Sequence, residues 1–436
     1  MAIEWAAVTR GRDVARSAES TTGARADFPF LDQDLNGHPL AYLDSGATSQ
    51  RPRAVLDAER SFLEHDNAAV HRGASSLVGR STDAFENARL TVSSFVGARE
   101  NELVWTSNAT DALNLVATGL TNGFLDGDVP DALRIGAGDE IVVTEAEHHA
   151  NLLPWQHLAR RTGAILRFIP VRDDGTWTLD DARAVIGEHT RIVAFAHVSN
   201  VTGMIAPVAE LTALAHEHGA LVVLDACQSA PHLPLDVRSL DVDFAAVSAH
   251  KMYGPTGIGA LYGRGELLDA LPPARSGGST ITRVTMESAE LLPSPQRFEA
   301  GTQPVSQAVG FAAAADYLTS LGRDEVASHE HRLGEALVAG VSSLPGIRLV
   351  GPPEGVDRAA LVSVAVDGVH SHDVGQFLDD RGIVVRVGHH CAQPLHRRLG
   401  LTATTRASVG VYSTLDEVER FVDALGDVRA YFGADR

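Results

Sequence analysis

Cysteine is nearly absent. Cys227 and Cys391 are the only two in 436 residues, too few for a disulfide framework and in keeping with a reducing compartment. Long apolar runs are missing as well: no stretch approaches the ~20 apolar residues that span a bilayer. The start, Met1-Ala2-Ile3-Glu4-Trp5-Ala6-Ala7-Val8-Thr9-Arg10, has neither the basic region nor the apolar core of a signal peptide. A soluble, cytoplasmic protein is expected. Positive charge is in deficit, with 36 Lys and Arg against 56 Asp and Glu and a formal net charge of -20. Phosphate backbones are bound by clustered cations, so nucleic acid is not an expected partner. Internal repeats, coiled-coil heptads and long low-complexity tracts are also lacking. What remains is a chain longer than one usual domain with 44% hydrophobic residues, enough for a large core and a smaller second domain.

The first residues, through Ser17-Ala18-Glu19-Ser20-Thr21-Thr22-Gly23, lack periodicity and are rich in small and polar types, so 1–25 is expected to be a mobile extension. From Tyr42-Leu43-Asp44 onward, short apolar strands at 102–105, 140–143 and 191–195 alternate with helical patterns such as 111–116. That alternation predicts an α/β fold, a mainly parallel central sheet wrapped by helices. Past residue 305 the pattern changes to an Ala-rich helix over 307–321, another over 326–344, and strands around 361–366 and 384–387, the mark of a smaller α+β domain. Gly301-Thr302-Gln303-Pro304 punctuates the change. The predicted division is a large domain over 26–304, with 26–41 able to pack on the small one, and a C-terminal domain over 305–436.

Chemistry is signalled first by Lys251, which follows the apolar strand Phe244-Ala245-Ala246-Val247-Ser248 and precedes the glycine-rich run 252–259. A partly desolvated amine at a sheet edge can lose its proton and bind an aldehyde covalently; taken alone, a surface lysine closing a strand is the simpler reading. A second strand end, Ala220-Leu221-Val222-Val223-Leu224-Asp225, delivers a carboxylate that is expensive to bury without a cation. The protonated ring nitrogen of pyridoxal phosphate is such a cation, and a Schiff-base lysine with an acidic pyridinium partner is its usual binding pattern. Between the two lie the turn Pro231-His232-Leu233-Pro234 and one further strand, so both groups can emerge at one sheet edge, where open α/β sheets bind ligands.

The strand over 102–105 continues through Thr106-Ser107-Asn108-Ala109 into a helix near Thr110-Asp111, whose free N–H groups and dipole favour a phosphate, with Thr110 as a hydroxyl donor. An ordinary N-cap explains this segment equally well. A third strand end, leading into Glu147-His148-His149-Ala150-Asn151, brings two histidines to the same edge, where an imidazole can stack on a pyridine ring. Paired histidines, with His389-His390-Cys391, also suggest a metal, but contiguous ligands do not readily converge on one ion and none is expected. Asn200 and Gln228, at other strand ends, are either partners for a ring oxygen or satisfied loop amides. The run 254–263 lacks the Rossmann spacing and opens no obvious helix.

Seven segments in order carry a resemblance that extends from about Tyr42 to Tyr412. They are Tyr42-Leu43-Asp44-Ser45-Gly46-Ala47, Ala69-Val70-His71-Arg72-Gly73, Glu147-His148-His149-Ala150-Asn151, His197-Val198-Ser199-Asn200-Val201, Ser248-Ala249-His250-Lys251, Arg297-Phe298-Glu299-Ala300-Gly301-Thr302 and Arg386-Val387-Gly388-His389-His390-Cys391. With them the chain resembles the fold-type I pyridoxal-phosphate enzymes, in particular the class V aminotransferase-like group and its SufS-type (group II) cysteine desulfurases. The resemblance implies that Lys251 carries the cofactor, Asp225 pairs with the pyridinium, His148 stacks on the ring, and Gln228 bonds the ring oxygen. It implies phosphate contacts from Thr110 with Ala109, from Ser248 and His250, and from Thr302 across a homodimer interface. Arg406 would clamp the substrate carboxylate, with Asn200 and Arg386 lining the pocket.

Cys391 would be the nucleophile, its thiol acidified by Arg386 or by protonated His389 or His390. Cys227 reads as a small buried hydrophobe. The implied reaction turns L-cysteine into L-alanine and leaves a persulfide on Cys391, for a SufE- or SufU-like acceptor serving iron-sulfur cluster assembly. Departures from the family pattern are Asp225-Ala226-Cys227-Gln228 for Asp-Gly-Ala-Gln, Val387 for a threonine, Ala407-Ser408-Val409-Gly410-Val411-Tyr412-Ser413 after Arg406, and Ser75 and Ser76 where histidine is common. They bear on substrate preference and acceptor identity. The competing readings are a selenocysteine lyase, another lyase or racemase of the same fold, and a non-catalytic sulfur carrier.

Overall fold

The computed structural model describes residues 23–127 and 129–434, so most of the extension expected over 1–25 lies outside the described residues. Where that segment enters the described chain it is packed: Ala24 is buried, and Arg25 Nη1 donates to Glu417 Oε1 at 2.7 Å on the C-terminal helix Leu415–Tyr431.

The central sheet has seven strands in the order Leu103–Thr106, Gly259–Gly263, Phe244–Ser248, Leu221–Asp225, Thr190–Ala196, Glu140–Thr144 and Ile165–Ile169. The last five run parallel to one another, and Gly259–Gly263 is antiparallel to both of its neighbours. Parallel strands covered on both faces read as nearly unbroken apolar runs, and every residue of Leu221–Asp225 and of Phe244–Ser248 is buried. Helices follow the strands. Ala109–Asp126 starts where Asn108 Oδ1 accepts the Asp111 N–H at 2.9 Å and stops at Gly127, whose φ of 73° supplies the left-handed cap. Among the described residues no helix is long and apolar enough to cross a membrane.

A second sheet holds four antiparallel strands in the order Ile347–Val350, Leu361–Val366, Thr404–Ser408 and Arg386–Gly388. The single strand expected over 384–387 forms as two pieces. Ile383–Val384 pairs in parallel with Ala41–Tyr42, whereas Arg386–Gly388 turns to pair with Thr404–Ser408. The first pairing ties the segment before Asp44 to the C-terminal half. The second aims Arg386 and the following loop at the large sheet. The helix Val305–Leu321, begun after Pro304, packs against Arg53–His65 and Ser76–Phe95.

One buried ion pair joins three of these parts. Arg89 on Ser76–Phe95 donates to both carboxylate oxygens of Glu299, at 2.6 and 2.9 Å, and to Leu103 O at 3.0 Å, while the Trp105 N–H donates to Glu299 Oε1 at 2.8 Å. Both side chains are about fully buried, so each satisfies a charge that water cannot reach. Replacing Arg89 with Met strands the Glu299 carboxylate and is expected to destabilise the protein by about 3–5 kcal/mol, read as a lowered urea midpoint.

Candidate active site

The C-terminal ends of the parallel strands open on a cavity of about 410 Å³. Every residue predicted for the site lines it except Thr302, which borders a separate cavity with Asn67 and Arg72. Lys251 stands on the short 3-10 turn Ala249–Lys251 that leaves the strand Phe244–Ser248. Asp225 closes the adjacent strand, is 7% exposed, and accepts the Cys227 N–H at 3.0 Å. Composition holds a signal that motif reading missed: Lys251 is the only lysine in the chain, all other members of the 36 basic residues being arginine. A guanidinium is not an amine nucleophile, so the one side-chain primary amine marks the position for covalent chemistry at a carbonyl.

At one end of the cavity, Ser248 Oγ accepts the Ala109 N–H at 2.8 Å and so joins the strand to the first turn of the Ala109–Asp126 helix. The Ala109 N–H is taken by that bond. A Cβ on Gly259 would lie 2.5 Å from Val247 O and 2.7 Å from Asn108 Cα, so glycine is required for the strand to run this close to the turn. His250 is held near 4 by burial and by the charges of Lys251 and Arg51, and is neutral. His148 Nδ1 accepts the Ala150 N–H at 3.0 Å, which leaves the ring proton on Nε2; burial, then the Lys251 charge, lowers this group to about 4. Behind it, burial pushes the Glu147 carboxyl up to about 7, although Thr144 and Asn151 both donate to it.

Gln228 provides the test of what the cavity takes. Its Nε2 donates to Gly46 O at 2.7 Å, and its Oε1 is buried without a partner. An unmatched buried acceptor costs about 1–3 kcal/mol, so an occupant with a hydrogen-bond donor is called for. Pyridoxal phosphate fits the set: its ring nitrogen suits Asp225, its hydroxyl Gln228 Oε1, its phosphate the helix start with Ser248 and His250, and its aldehyde Lys251.

The other end carries the substrate groups. Arg406 on Thr404–Ser408 is 2% exposed; its Nη1 donates to Asn200 O at 2.9 Å and its Nη2 to Asp44 Oδ1 at 3.2 Å, and its Nε is unpaired. Asp44 also faces Arg386 Nη1 at 3.9 Å, a bridging role that sequence reasoning missed. The signal was available, because Asp44 ends an apolar run as Asp225 does. A Cβ on Gly46 would lie 3.1 Å from Arg406 Nη2, so this glycine lets the segment fold over the guanidinium.

Cys391 is exposed, in a loop where His390 and Cys391 both adopt left-handed φ values of 48° and 57°. Asn200 Nδ2 donates to His390 O at 2.6 Å and the His149 N–H to Cys391 O at 2.7 Å, tying the loop to the large sheet. Asn200 is therefore an anchor as well as a wall of the pocket, and His149 is a second anchor not foreseen. The expected acidifying charge on His390 is corrected: burial, then Arg406, holds that ring near 2, so it is neutral. Arg386, Arg406 and Lys251 are the cations that border the cavity with Cys391. Cys227 donates to Ser248 Oγ at 3.5 Å, and burial pushes its thiol up to about 12, which makes it a poor nucleophile.

Fold and site together define an enzyme of the pyridoxal-phosphate class, and the sequence matches the Aminotransferase class-V family over residues 41–421. The chain belongs to that family, and its relatives there include cysteine desulfurases. It is 55% identical to the protein named "Probable cysteine desulfurase 2" of Mycobacterium leprae, over 94% of this chain and 97% of that protein. It is 43% identical to a cysteine desulfurase of Escherichia coli, over 95% and 99%. A solved structure of a cysteine desulfurase from Thermococcus onnurineus, in its apo form, superposes with a TM-score of 0.87 at 39% identity, covering 94% of this chain and 98% of that one.

The histidines at this edge link the site to stability. His197, whose N–H donates to Asp225 O at 3.0 Å, is buried and lowered from 6.5 to about 4. Its folded value is depressed, so unfolding takes up a proton between those limits. Its contribution is present above pH 6.5 and is lost as the pH falls towards 4. Urea unfolding of wild type and His197→Phe across this range should show the wild type losing stability relative to the variant as the pH drops; a constant difference would contradict the assignment.

Proposed function

We propose that the chain is a pyridoxal-phosphate-dependent cysteine desulfurase that converts L-cysteine to L-alanine and keeps the sulfur as a persulfide on Cys391. The observation that carries this reading is the placement of an exposed cysteine, anchored by Asn200 and His149, on the same cavity as Lys251 and Asp225. Lys251 and Asp225 would hold the cofactor, and that group, when bound, supplies a sink for the electrons left at the substrate Cα.

The remaining work falls to this chain's own side chains. Arg406 has an unpaired Nε to offer a substrate carboxylate, and its fixed planar fork sets the orientation of the amino acid. The freed amine of Lys251 takes the proton from Cα. Cys391, which lines the cavity with Arg386 and Arg406, attacks the substrate sulfur as its thiolate. The new S–S bond forms as the C–S bond breaks and the electron pair passes to Cβ; Cβ takes a proton and the Lys251 ammonium returns one to Cα, which completes alanine. His148, neutral with its proton on Nε2, is suited to stack on a ring and to donate a hydrogen bond, and its low basicity keeps it from adding charge beside Lys251.

An exposed persulfide needs a recipient. The reading includes a SufE- or SufU-like acceptor in the cytoplasm, serving iron-sulfur cluster assembly, and a homodimer in which Thr302 of one copy completes the phosphate site of the other. The separate cavity that Thr302 borders within its own chain supports that last element. Two substitutions test the chemistry. Lys251→Ala is expected to abolish the visible absorbance of the bound cofactor. Cys391→Ser is expected to retain that absorbance while alanine formation from L-cysteine falls by at least about 10²-fold. A Cys391→Ser protein that works at the wild-type rate would point to a lyase or racemase.

A further inference from the structure

Around Cys391 the chain closes a hydrogen-bonded ring whose direction is fixed at every step. Ala392 O accepts only, so His396 Nδ1, 3.0 Å away, carries a proton. Burial lowers His396 below its ordinary value; the ring is neutral and its Nε2 is an acceptor. Thr404 Oγ1, 3.0 Å from that nitrogen, is the donor, and a hydroxyl has one proton to give. The same oxygen lies 2.9 Å from His390 Nε2, which must then donate to it. The chain of bonds thus runs from His390 through Thr404 and His396 to Ala392 O, and its two ends are the residues on either side of Cys391. Thr404 is fully buried at the start of the strand that also carries Arg406. His390 and Cys391 occupy a backbone region that side-chain-bearing residues adopt only when held there.

We propose that Thr404 is a positioning residue for persulfide formation: its hydroxyl, through His390 and His396, clasps both flanks of Cys391 and holds the backbone pose from which the thiol meets the substrate sulfur. The proposal rests on the desulfurase reading and adds the group that keeps the nucleophile in place. Consecutive left-handed residues are not stable by themselves, and the bonds of Asn200 and His149 to this segment reach only backbone groups: the carbonyls of His390 and Cys391 and, at the His149 ring, the Gln393 N–H at 3.2 Å. Thr404 alone links the two flanks to each other through side chains among the bonds described.

The test uses the cofactor-loaded enzyme and Thr404→Val, which keeps the shape and removes the hydroxyl. The rate of alanine formation from saturating L-cysteine should fall between tenfold and about 10²-fold, the scale of a small misplacement of a reacting group. The concentration of L-alanine, an analogue without a thiol, that half-saturates the change in cofactor absorbance should stay the same, because Arg406 is untouched. Thr404→Ser should restore the rate. A wild-type rate for Thr404→Val, or a Thr404→Ser protein as slow as Thr404→Val, would overturn the proposal. If Thr404→Val also loses L-alanine binding, His396→Leu decides, since it opens only the Ala392 flank: slower turnover with L-alanine binding intact supports the proposal, and a wild-type rate or lost binding overturns it. Wild-type protein that forms no alanine would instead defeat the desulfurase reading itself.

Discussion

Asn200 makes two bonds in opposite directions, and the alignment of the site depends on them. Its carbonyl accepts Arg406 Nη1 and its side-chain amide donates to His390 O. Asn200 follows the strand Thr190–Ala196 of the large sheet, whereas Arg406 and His390 belong to the small sheet and the loop beside it. A single buried residue therefore sets both the carboxylate clamp and the nucleophile loop against the edge that carries Asp225 and Lys251. Hydrogen bonds to a charged group contribute about 1.5–3 kcal/mol and those between neutral groups about 1 kcal/mol. That is modest for stability, yet sufficient to hold a loop whose backbone would otherwise relax.

The electrostatics follow from the same burial. Lys251, Arg386 and Arg406 border one cavity, and the imidazoles of His148, His250 and His390 among them are kept neutral by burial and by neighbouring cations. Asp44 answers part of the positive charge by bridging Arg406 and Arg386. Neutral rings donate and accept hydrogen bonds without adding to the positive field, so the field is left for anions, a phosphate and a carboxylate.

Much of this was legible in the sequence, for identifiable reasons. Asp225 and Lys251 close apolar runs, and a charged residue at the end of a buried parallel strand has little reason to be there except chemistry. The strand over 361–366 and the helices after 305, the first of them by its run of alanine, follow from local sequence. Less visible were effects that need the third dimension. The break between Ile383–Val384 and Arg386–Gly388 arises because two different partners, Ala41–Tyr42 and Thr404–Ser408, claim neighbouring residues. The neutrality of His390 depends on burial that no motif reveals. His149 and Asn200 are anchors because their partners are backbone groups on a distant segment, which carry no residue signal. Thr302 matched its family segment, yet it does not reach the cavity within its own chain.

The central claim is that Cys391, and not the buried Cys227, receives the substrate's sulfur. Its most direct test is peptide mass mapping after brief exposure of the cofactor-loaded protein to L-cysteine without reductant. The account predicts one added sulfur atom on the peptide containing Cys391 and none on the peptide containing Cys227. Sulfur found on Cys227, or alanine released with neither peptide modified, would contradict it.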